Sequence, residues 1–192
     1  MHSDQQLEVV SFATNLGWMA LVGSGPTIQQ VLFGYPTQTA VLRAIRDDLD
    51  WTEADRAWPA LVRKLKEYAA GKRVDFSDVQ VDLDHLTPFQ RRVIKHCRAI
   101  GYGQTRSYGE LAKASGSARA ARAVGNTMAG NRYPLIVPCH RVINSDGSIG
   151  QYSALEGPRT KVRLLKLEKS EAASLRRPLR TAKSRRVALS QS

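Results

Sequence analysis

The 192-residue sequence carries 29 Lys and Arg residues against 17 Asp and Glu, which gives a net charge of +12 and a pI of about 10.2. Its 42% hydrophobic and 24% charged content is ordinary for a globular chain. No apolar run approaches the roughly 18 residues of a membrane span, and two cysteines are too few for a disulfide framework or a four-ligand zinc site. We therefore expect a protein of a reducing compartment, with no membrane partner and no metal.

The charge is distributed unevenly along the chain. Residues 1–86 hold 8 Lys and Arg against 12 Asp and Glu, a net charge of −4. Residues 87–168 hold 14 against 4, a net charge of +10, and residues 169–192 hold 7 against 1, a net charge of +6. A basic segment of this size is typical of a protein that binds a polyanion such as a nucleic acid. Solvated helix faces in a generally basic protein are the alternative.

Residues 1–75 predict a small unit of sheet and helices. Segments rich in Val, Ile, Leu and aromatic residues, separated by glycines, predict a three-stranded antiparallel meander at residues 9–14, 18–22 and 28–33. Apolar residues at helical spacing predict helices over 37–49 and 58–70, the second of which ends at Gly71. The acidic residues 76–86 are predicted to form a linker that contributes a strand. This unit presents no obvious catalytic constellation.

A capped helix opens the second unit, residues 87–168. Thr87 suits the N-cap position, Pro88 suits the first helical position, and Gln90 completes a capping box. Cys97 falls on the apolar face of this helix and is predicted to face the core.

Two shorter helices follow and predict a helix-turn-helix. Ser107 starts the first with another capping box, and Ser117 is predicted to cap the second, over residues 118–128. The second helix is rich in alanine and carries Arg119 and Arg122. Its backbone could approach a nucleic acid closely while the arginines contact phosphates or replace a base in the stack. This spacing alone is a weak indication, because many helical pairs bind nothing.

The remaining segments complete an α+β fold. Residues 143–152 predict a short hairpin around an Asp-Gly turn, and a Gly-Pro pair precedes a last helix over 159–168. The basic tail, residues 169–192, lacks an apolar face and is predicted to be disordered, adding sequence-independent affinity for DNA. We therefore predict a small N-terminal α/β domain with an antiparallel sheet, followed by a mostly helical, winged helix-turn-helix-like domain.

The most informative stretch is residues 134–143, which sets Cys139 and His140 between Pro138 and Arg141. Pro138 restricts the backbone, so the cysteine lies on a stiff segment. Thiolates form beside cations or a base, and His140 and Arg141 offer both. On this stretch alone, a nucleophile and a small buried hydrophobic residue are equally good interpretations of Cys139.

Together these motifs resemble the O6-alkylguanine-DNA alkyltransferases, the methylated-DNA–protein-cysteine methyltransferases. The resemblance is close over residues 87–168 and looser over residues 9–75. The motifs that carry it are Ser107-Tyr108-Gly109-Glu110-Leu111-Ala112, Ala120-Ala121-Arg122-Ala123-Val124-Gly125, Gly130-Asn131 and Val137-Pro138-Cys139-His140-Arg141-Val142-Ile143, with Leu16-Gly17-Trp18-Met19-Ala20 and Leu32-Phe33-Gly34 nearer the N-terminus. Several ordered motifs over some eighty residues are far more specific than one tetrapeptide.

The resemblance implies a direct repair reaction without a cofactor. An alkyl group would pass irreversibly from O6-alkylguanine in DNA to Cys139 after base flipping, once per protein molecule, and O4-alkylthymine is open as a further substrate. His140 would activate the cysteine through a bound water, and Glu168 would orient that histidine. Tyr108 would support the flipped nucleotide and give a proton to guanine. Asn131 would steady the segment before the site.

The resemblance also implies a set of DNA and substrate contacts. Arg122 would be a finger that enters the duplex where the base was, and Tyr152 and Ser153 would lie on the loop that closes the pocket. Further contacts are expected from Arg119, Ser107, Ala121, Gly125, Arg141 and Val142. The partner would be double-stranded DNA containing O6-alkylguanine. The protein would be a monomer in the cytoplasm, associated with the nucleoid in a bacterium, or in the nucleus of a eukaryote.

One stretch departs from the family pattern. After Ser153 the family usually continues with paired glycines, whereas this chain has Ala154-Leu155-Glu156-Gly157 and an extra residue or two before the last helix. These larger side chains bear on the size of alkyl group that the pocket accepts.

Three other classes of protein compete with this interpretation. A non-catalytic binder of alkylated DNA would lack Cys139, which this chain has. A cysteine hydrolase normally draws its histidine from elsewhere in the chain, and the basic helix-turn-helix would stay unexplained. A plain transcription regulator would have no need of the cysteine.

Overall fold

The predicted meander forms the centre of a five-stranded sheet in the computed structural model, which describes residues 6–45 and 50–168. The strands are β1 (Leu7–Thr14), β2 (Gly17–Ser24), β3 (Thr27–Tyr35), β4 (Trp51–Glu53) and β5 (Gln80–Val81). Strands β1 to β3 pair antiparallel, while β4 adds in parallel to β1 and β5 in parallel to β3. Strand β5 confirms the strand expected in the acidic linker. Strand β4 was not predicted, because three residues are too few for an alternating pattern.

The two faces of the sheet bury different sets of side chains. Helix α1 (Gln38–Arg43) covers one face, where Val41 packs with Val9 and Val22. The helix predicted over 37–49 is therefore too long. It ends at Arg43 because the amides of Ala44 and Ile45 bond three residues back, which tightens the chain into a turn. Residues 46–49 of that prediction lie outside the described residues.

The other face of the sheet shares its core with the second half of the chain. Helix α2 (Pro59–Ala69) confirms the second predicted helix, and its Leu65 is fully buried. The same hydrophobic cluster includes Val93, Cys97 and Val124 from beyond the linker. Cys97 is fully buried, which confirms that it faces the core. The division of the chain into units at 75 and 87 stays a prediction, and the core is continuous across it.

Both predicted capping boxes are present. In α3 (Pro88–Arg98), the Gln90 amide donates to the Thr87 hydroxyl at 3.3 Å, and the Gln90 side chain accepts from the Thr87 amide at 2.9 Å. In α4 (Tyr108–Ala114), Ser107 and Glu110 form the same pair of bonds at 3.1 and 2.7 Å. These contacts span three residues, so the sequence alone locates both helix starts.

Helix α5 (Ala121–Ala129) packs on α4 as a helix-turn-helix but begins later than predicted. Ala120 is its N-cap residue, and the prediction that Ser117 caps it is wrong. The Ser117 carbonyl instead accepts from the Ala120 amide at 3.0 Å and closes the turn between the helices. Arg119 therefore lies on the turn, whereas Arg122 lies on the first turn of α5.

The predicted hairpin over 143–152 is also wrong. Strand β7 (Val142–Ile143) pairs in parallel with β6 (Arg106–Ser107), so its partner comes from earlier in the chain. The Asp146 carboxylate accepts from the Ser148 amide at 2.9 Å, so the Asp-Gly pair forms a side-chain-closed turn.

The described chain ends with α6 (Pro158–Leu167), which confirms the last predicted helix. Glu168 is its C-cap residue. The basic tail, residues 169–192, lies outside the described residues. Within the described ranges, no helix is long and apolar enough to cross a membrane.

The two predicted caps allow a matched test of stability. Thr87→Ala should lower the free energy of unfolding by about 1 kcal/mol, because it removes the hydroxyl that accepts from the Gln90 amide at the start of α3. Urea denaturation followed by circular dichroism measures the change. Ser117→Ala is the control and should change stability by less than about 0.5 kcal/mol, since α5 has no side-chain cap. Equal losses in the two variants would contradict this placement of the caps.

Candidate active site

Cys139 begins a short 3-10 helix, Cys139–Arg141, directly after Pro138. Asn131 fixes this segment from the preceding loop. Its side-chain amide donates to the Val137 carbonyl at 2.9 Å and to the Cys139 sulfur at 3.0 Å. Asn131 therefore lies where the resemblance expects it, and it also contacts the sulfur directly. Cys139 itself is only 3% exposed.

His140 and Glu168 form a buried pair behind the cysteine. His140 Nε2 lies 2.9 Å from Glu168 Oε1, and both side chains are fully buried. Burial opposes ionisation of Glu168, but hydrogen bonds from His140 and Arg141 outweigh it and hold the pKa of Glu168 well below its usual value. Burial lowers the pKa of His140 although Glu168 acts to raise it, so the imidazole is neutral at rest. Such a histidine can accept a proton.

The Arg141 side chain is buried and turned towards Glu168, so the expected DNA contact of its side chain is wrong. The guanidinium bonds Glu168 Oε2 through Nε at 2.9 Å and Oε1 through Nη2 at 2.8 Å. It also donates to the Ile100 carbonyl at 2.6 Å. Val142, the next expected contact, has a fully buried side chain, and its carbonyl accepts from Lys161 at 2.5 Å. Both residues hold the site together from inside.

Cys139 borders a cavity of about 520 Å³, a size typical of small-molecule sites. The predicted residues that border the same cavity are Tyr108, Arg122, Gly125, Tyr152 and Ser153. Arg122 is exposed at the mouth on α5, whereas the Tyr152 hydroxyl is buried beside the thiol. The fold thus brings together side chains that lie up to 45 residues apart in the sequence.

Burial and nearby polar groups have opposite effects on the pKa of the Cys139 thiol. Burial raises the pKa of Cys139, whereas the Asn131 bond and the Lys161 cation act to lower it. Burial also lowers the pKa of Lys161 to about 8. The Lys161 ammonium lies 3.4 Å from the Tyr108 hydroxyl and 5.5 Å from the centre of its ring. Burial and the nearby cysteine raise the pKa of Tyr108, which therefore keeps its proton.

The remaining predicted contacts lie around the helix-turn-helix, away from the sulfur. Arg119 is exposed on the turn, and Ala121 is half-buried at the start of α5. The Ser107 hydroxyl is used as the cap of α4. Ala154 and Leu155, which stand in place of the family's glycines, line a neighbouring cleft beside β3.

Sequence analysis missed three residues of the site. Tyr68 donates to Glu168 at 2.6 Å from α2, and Lys161 is fully buried beside the cysteine. A signal existed for Lys161, since it shares the apolar face of α6 with Leu164. Tyr68 gave no such signal, because a tyrosine on an apolar face is ordinary core. Gly150 has the Tyr108 hydroxyl 3.0 Å from where its Cβ would lie, so only glycine fits without displacing that ring.

No group of three or more metal-ligating side chains occurs in residues 6–45 and 50–168.

Comparison with known proteins points to one family. Residues 88–170 match the family described as 6-O-methylguanine DNA methyltransferase, DNA binding domain. The methylated-DNA–protein-cysteine methyltransferase of Mycobacterium tuberculosis is 46% identical over 122 residues, which cover 64% of this chain and 72% of that protein. The constitutive enzyme of Bacillus subtilis is 36% identical over 142 residues, covering 68% and 82%. The crystal structure of M. tuberculosis OGT in complex with DNA superposes with a TM-score of 0.70 at 35% identity, covering 86% of this chain and 96% of that one.

With these matches, the α+β fold, the helix-turn-helix and the cavity bordered by Cys139 are those of a DNA-binding methyltransferase. The chain belongs to the methylated-DNA–protein-cysteine methyltransferase family.

The buried Glu168 network predicts a large effect on stability. Glu168→Gln should lower the free energy of unfolding by about 3 kcal/mol, because it leaves the Arg141 cation buried without a counter-charge. Chemical denaturation measures the loss. Asp78→Asn, which breaks the exposed Lys64–Asp78 pair, should cost less than about 1 kcal/mol. Similar losses in the two variants would contradict the inferred network.

The same variant should show a defined pH dependence. The folded-state pKa of Glu168 is lowered, so its ionised form stabilises the fold above the unfolded-state value of about 4.3. That contribution is lost as the pH falls towards the folded-state pKa. The stability difference between wild type and Glu168→Gln should be constant near neutral pH and shrink below about pH 4. A difference that widens on acidification would contradict the assignment.

Proposed function

We propose that this methyltransferase repairs DNA by moving an alkyl group from O6 of guanine to Cys139, once per protein molecule and after flipping the nucleotide out of the duplex. One observation carries the proposal. The buried Cys139 borders a cavity together with Tyr108 and Arg122, and its neighbour His140 is held by Glu168. One site thus contains a nucleophile, a general base held by a carboxylate, a proton donor and a basic residue at the entrance.

Transfer begins with loss of the Cys139 proton. Burial raises the pKa of this thiol, so at neutral pH it needs a base. Adjacent residues rarely direct their side chains at each other, and a water molecule relays the proton from the thiol to His140. Asn131 and the Lys161 cation then stabilise the thiolate, since both act to lower the pKa of the thiol.

The thiolate attacks the alkyl carbon on O6. A carbon–sulfur bond forms as the carbon–oxygen bond breaks, and the electron pair of that bond goes to O6 of the guanine. Tyr108 holds its proton in the resting site and gives it to the leaving base. The proton that His140 took from Cys139 restores Tyr108. The products are ordinary guanine and S-alkylcysteine, so atoms and charges balance.

Base flipping follows from where the reacting atoms lie. The alkyl group sits inside the base stack, and a cysteine that is 3% exposed cannot reach it there. Helix α5 borders the cavity with small residues such as Ala129 and Gly125, which permit close approach of a DNA backbone. Arg122, exposed on the first turn of α5, fills the gap that the nucleotide leaves.

The reaction consumes the protein. A thiolate leaves poorly from a thioether, so regenerating the thiol would need a second nucleophile at the S-alkyl carbon. The second cysteine, Cys97, is fully buried in α3, and burial raises its pKa well above the usual value. It is therefore no candidate for that role.

Stoichiometry tests the acceptor. Incubation with excess duplex containing O6-methylguanine should add one methyl group to the Cys139 peptide and repair one lesion per protein molecule. Peptide mass spectrometry and chromatography of the released nucleosides measure the two quantities. Cys97→Ala should behave as wild type, whereas Cys139→Ala should bind the duplex and transfer nothing.

Two outcomes would contradict this proposal. Repair of more than one lesion per molecule would refute the single turnover. Binding without any gain of mass on the Cys139 peptide would favour a non-catalytic binder of alkylated DNA.

Arg122 provides a test of base flipping. Arg122→Ala should slow transfer by at least about tenfold, because extruding a base costs a few kcal/mol that the inserted side chain offsets. Single-turnover rates, with a fluorescent base analogue opposite the lesion to report extrusion, measure the effect. Arg43→Ala, an exposed arginine of α1, is the control and should keep the wild-type rate. An unchanged rate in Arg122→Ala would refute the finger assignment.

A further inference from the structure

We propose that Tyr68, on helix α2, is a positioning residue for alkyl transfer: its hydroxyl holds Glu168 and His140 in the arrangement that leaves Nδ1 of His140 as the proton-accepting nitrogen. The inference rests on the proposed function, in which His140 takes the proton of Cys139. It gives the N-terminal half of the chain a part in the reaction.

Three buried groups meet within hydrogen-bonding distance. The Tyr68 hydroxyl donates to Glu168 Oε1 at 2.6 Å and lies 3.3 Å from His140 Nε2. His140 Nε2 lies 2.9 Å from the same Oε1. Tyr68 and His140 have no solvent exposure, and the Glu168 side chain is fully buried. Water therefore does not compete for these bonds, and each proton in the triangle must be accounted for by the three side chains.

Counting the protons assigns the histidine tautomer. Burial and the Glu168 charge raise the pKa of Tyr68 well above its usual value, so the hydroxyl keeps its one proton, and Glu168 is ionised. That proton points at the carboxylate. His140 Nε2 then faces lone pairs of both oxygens and must itself carry a proton. In the neutral imidazole Nδ1 is therefore the acceptor, and it is buried with no hydrogen-bond partner among the described residues.

Tyr68 also limits how strongly Glu168 attracts a second proton to the imidazole. Oε1 accepts from Tyr68, from His140 and from Arg141, whose Nη2 lies at 2.8 Å, so its negative charge is shared among three donor side chains. The charged groups that act on His140 are Glu168 and Lys161 from α6 and Arg141 from its own short helix. Only Glu168 favours the imidazolium. Removing the hydroxyl concentrates the charge of Oε1 on His140, which favours the protonated form that cannot accept the thiol proton.

The Tyr68 ring is held independently of its hydroxyl. It packs edge-on against Phe76 and Tyr102, with ring centroids 6.0 and 6.1 Å away. Replacement by phenylalanine therefore keeps the packing and removes the hydroxyl alone.

The test compares Tyr68→Phe with wild type in the full chain. Single-turnover methyl transfer from a duplex with O6-methylguanine is measured against pH at saturating DNA. We expect a rate about tenfold lower, since positioned acid–base groups contribute a hundredfold or more in all. The acid limb of the profile should move to higher pH, and the affinity for DNA should be unchanged. A wild-type rate and limb in folded Tyr68→Phe, or a lower rate with an unmoved limb, would overturn the proposal.

Tyr102→Phe is the matched control. Its hydroxyl donates to the Gly71 and Leu167 carbonyls at 3.2 and 3.3 Å and to neither Glu168 nor His140. Its loss should leave the rate within about twofold and the acid limb in place. The same shift of the limb in both variants would overturn the specific role of Tyr68.

A second measurement reads the tautomer in the wild-type protein itself. A long-range ¹H–¹⁵N spectrum of the wild type resolves the four histidines, and His140→Asn identifies the relevant signal by its loss. We expect the tautomer with the proton on Nε2, and a proton on Nδ1 in the neutral ring would overturn the proposal. Wild-type transfer to Cys139 is measured first. Its absence would refute the proposed function, whereas the tautomer is read independently of any transfer.

Discussion

The Glu168 carboxylate joins four separate parts of the chain at one buried point. It ends α6 and accepts from Tyr68 of α2, from His140 and Arg141 of the 3-10 helix, and from the Gly103 amide after α3 at 3.2 Å. A buried carboxylate is tolerable only when its oxygens are fully bonded, so these elements must be in place together. The contact that orients the histidine is therefore also a contact that assembles the fold.

The geometry of the 3-10 helix explains how neighbours in sequence take different tasks. With three residues per turn, successive side chains point about 120° apart. Cys139 borders the cavity, while His140 and Arg141 turn inward to Glu168. In the proposed reaction the histidine then reaches the thiol through water. The same geometry buries the Arg141 side chain, whereas a basic residue beside a nucleophile would be expected to be exposed to a nucleic acid.

What the sequence could predict is what depends on local spacing. The capping boxes at Thr87 and Ser107 involve residues three apart, and the apolar face that buries Cys97 repeats with the helical period. Both features can therefore be predicted without knowledge of the fold. Ser117 has the same composition signal as a cap, yet the turn uses its carbonyl to bond Ala120, which no local pattern reveals. A side-chain cap and a backbone turn were both open to Ser117, and local sequence does not distinguish these two short-range bonding patterns.

The residues that sequence analysis missed are those whose meaning depends on distant partners. Tyr68 lies 100 positions from Glu168, and on α2 it is indistinguishable from an ordinary core tyrosine. Strand β4 is three residues long and exists because β1 offers it a parallel edge. The family motifs located Cys139 and His140, because there the chemistry is concentrated in a few adjacent residues. Side chains that support them from other elements carry no comparable signature.

Lys161 and Cys139 illustrate how burial keeps a nucleophile protonated and unreactive until a base acts on it. Burial raises the pKa of the thiol and lowers that of the ammonium to about 8, so the low dielectric brings both towards their neutral forms. A neutral thiol reacts poorly with electrophiles from solvent. Once a base removes the thiol proton, the same low dielectric strengthens the attraction between thiolate and ammonium, which raises the pKa of Lys161 again. In the proposed reaction, the environment that suppresses the resting thiol thus also stabilises the thiolate that attacks the alkyl group.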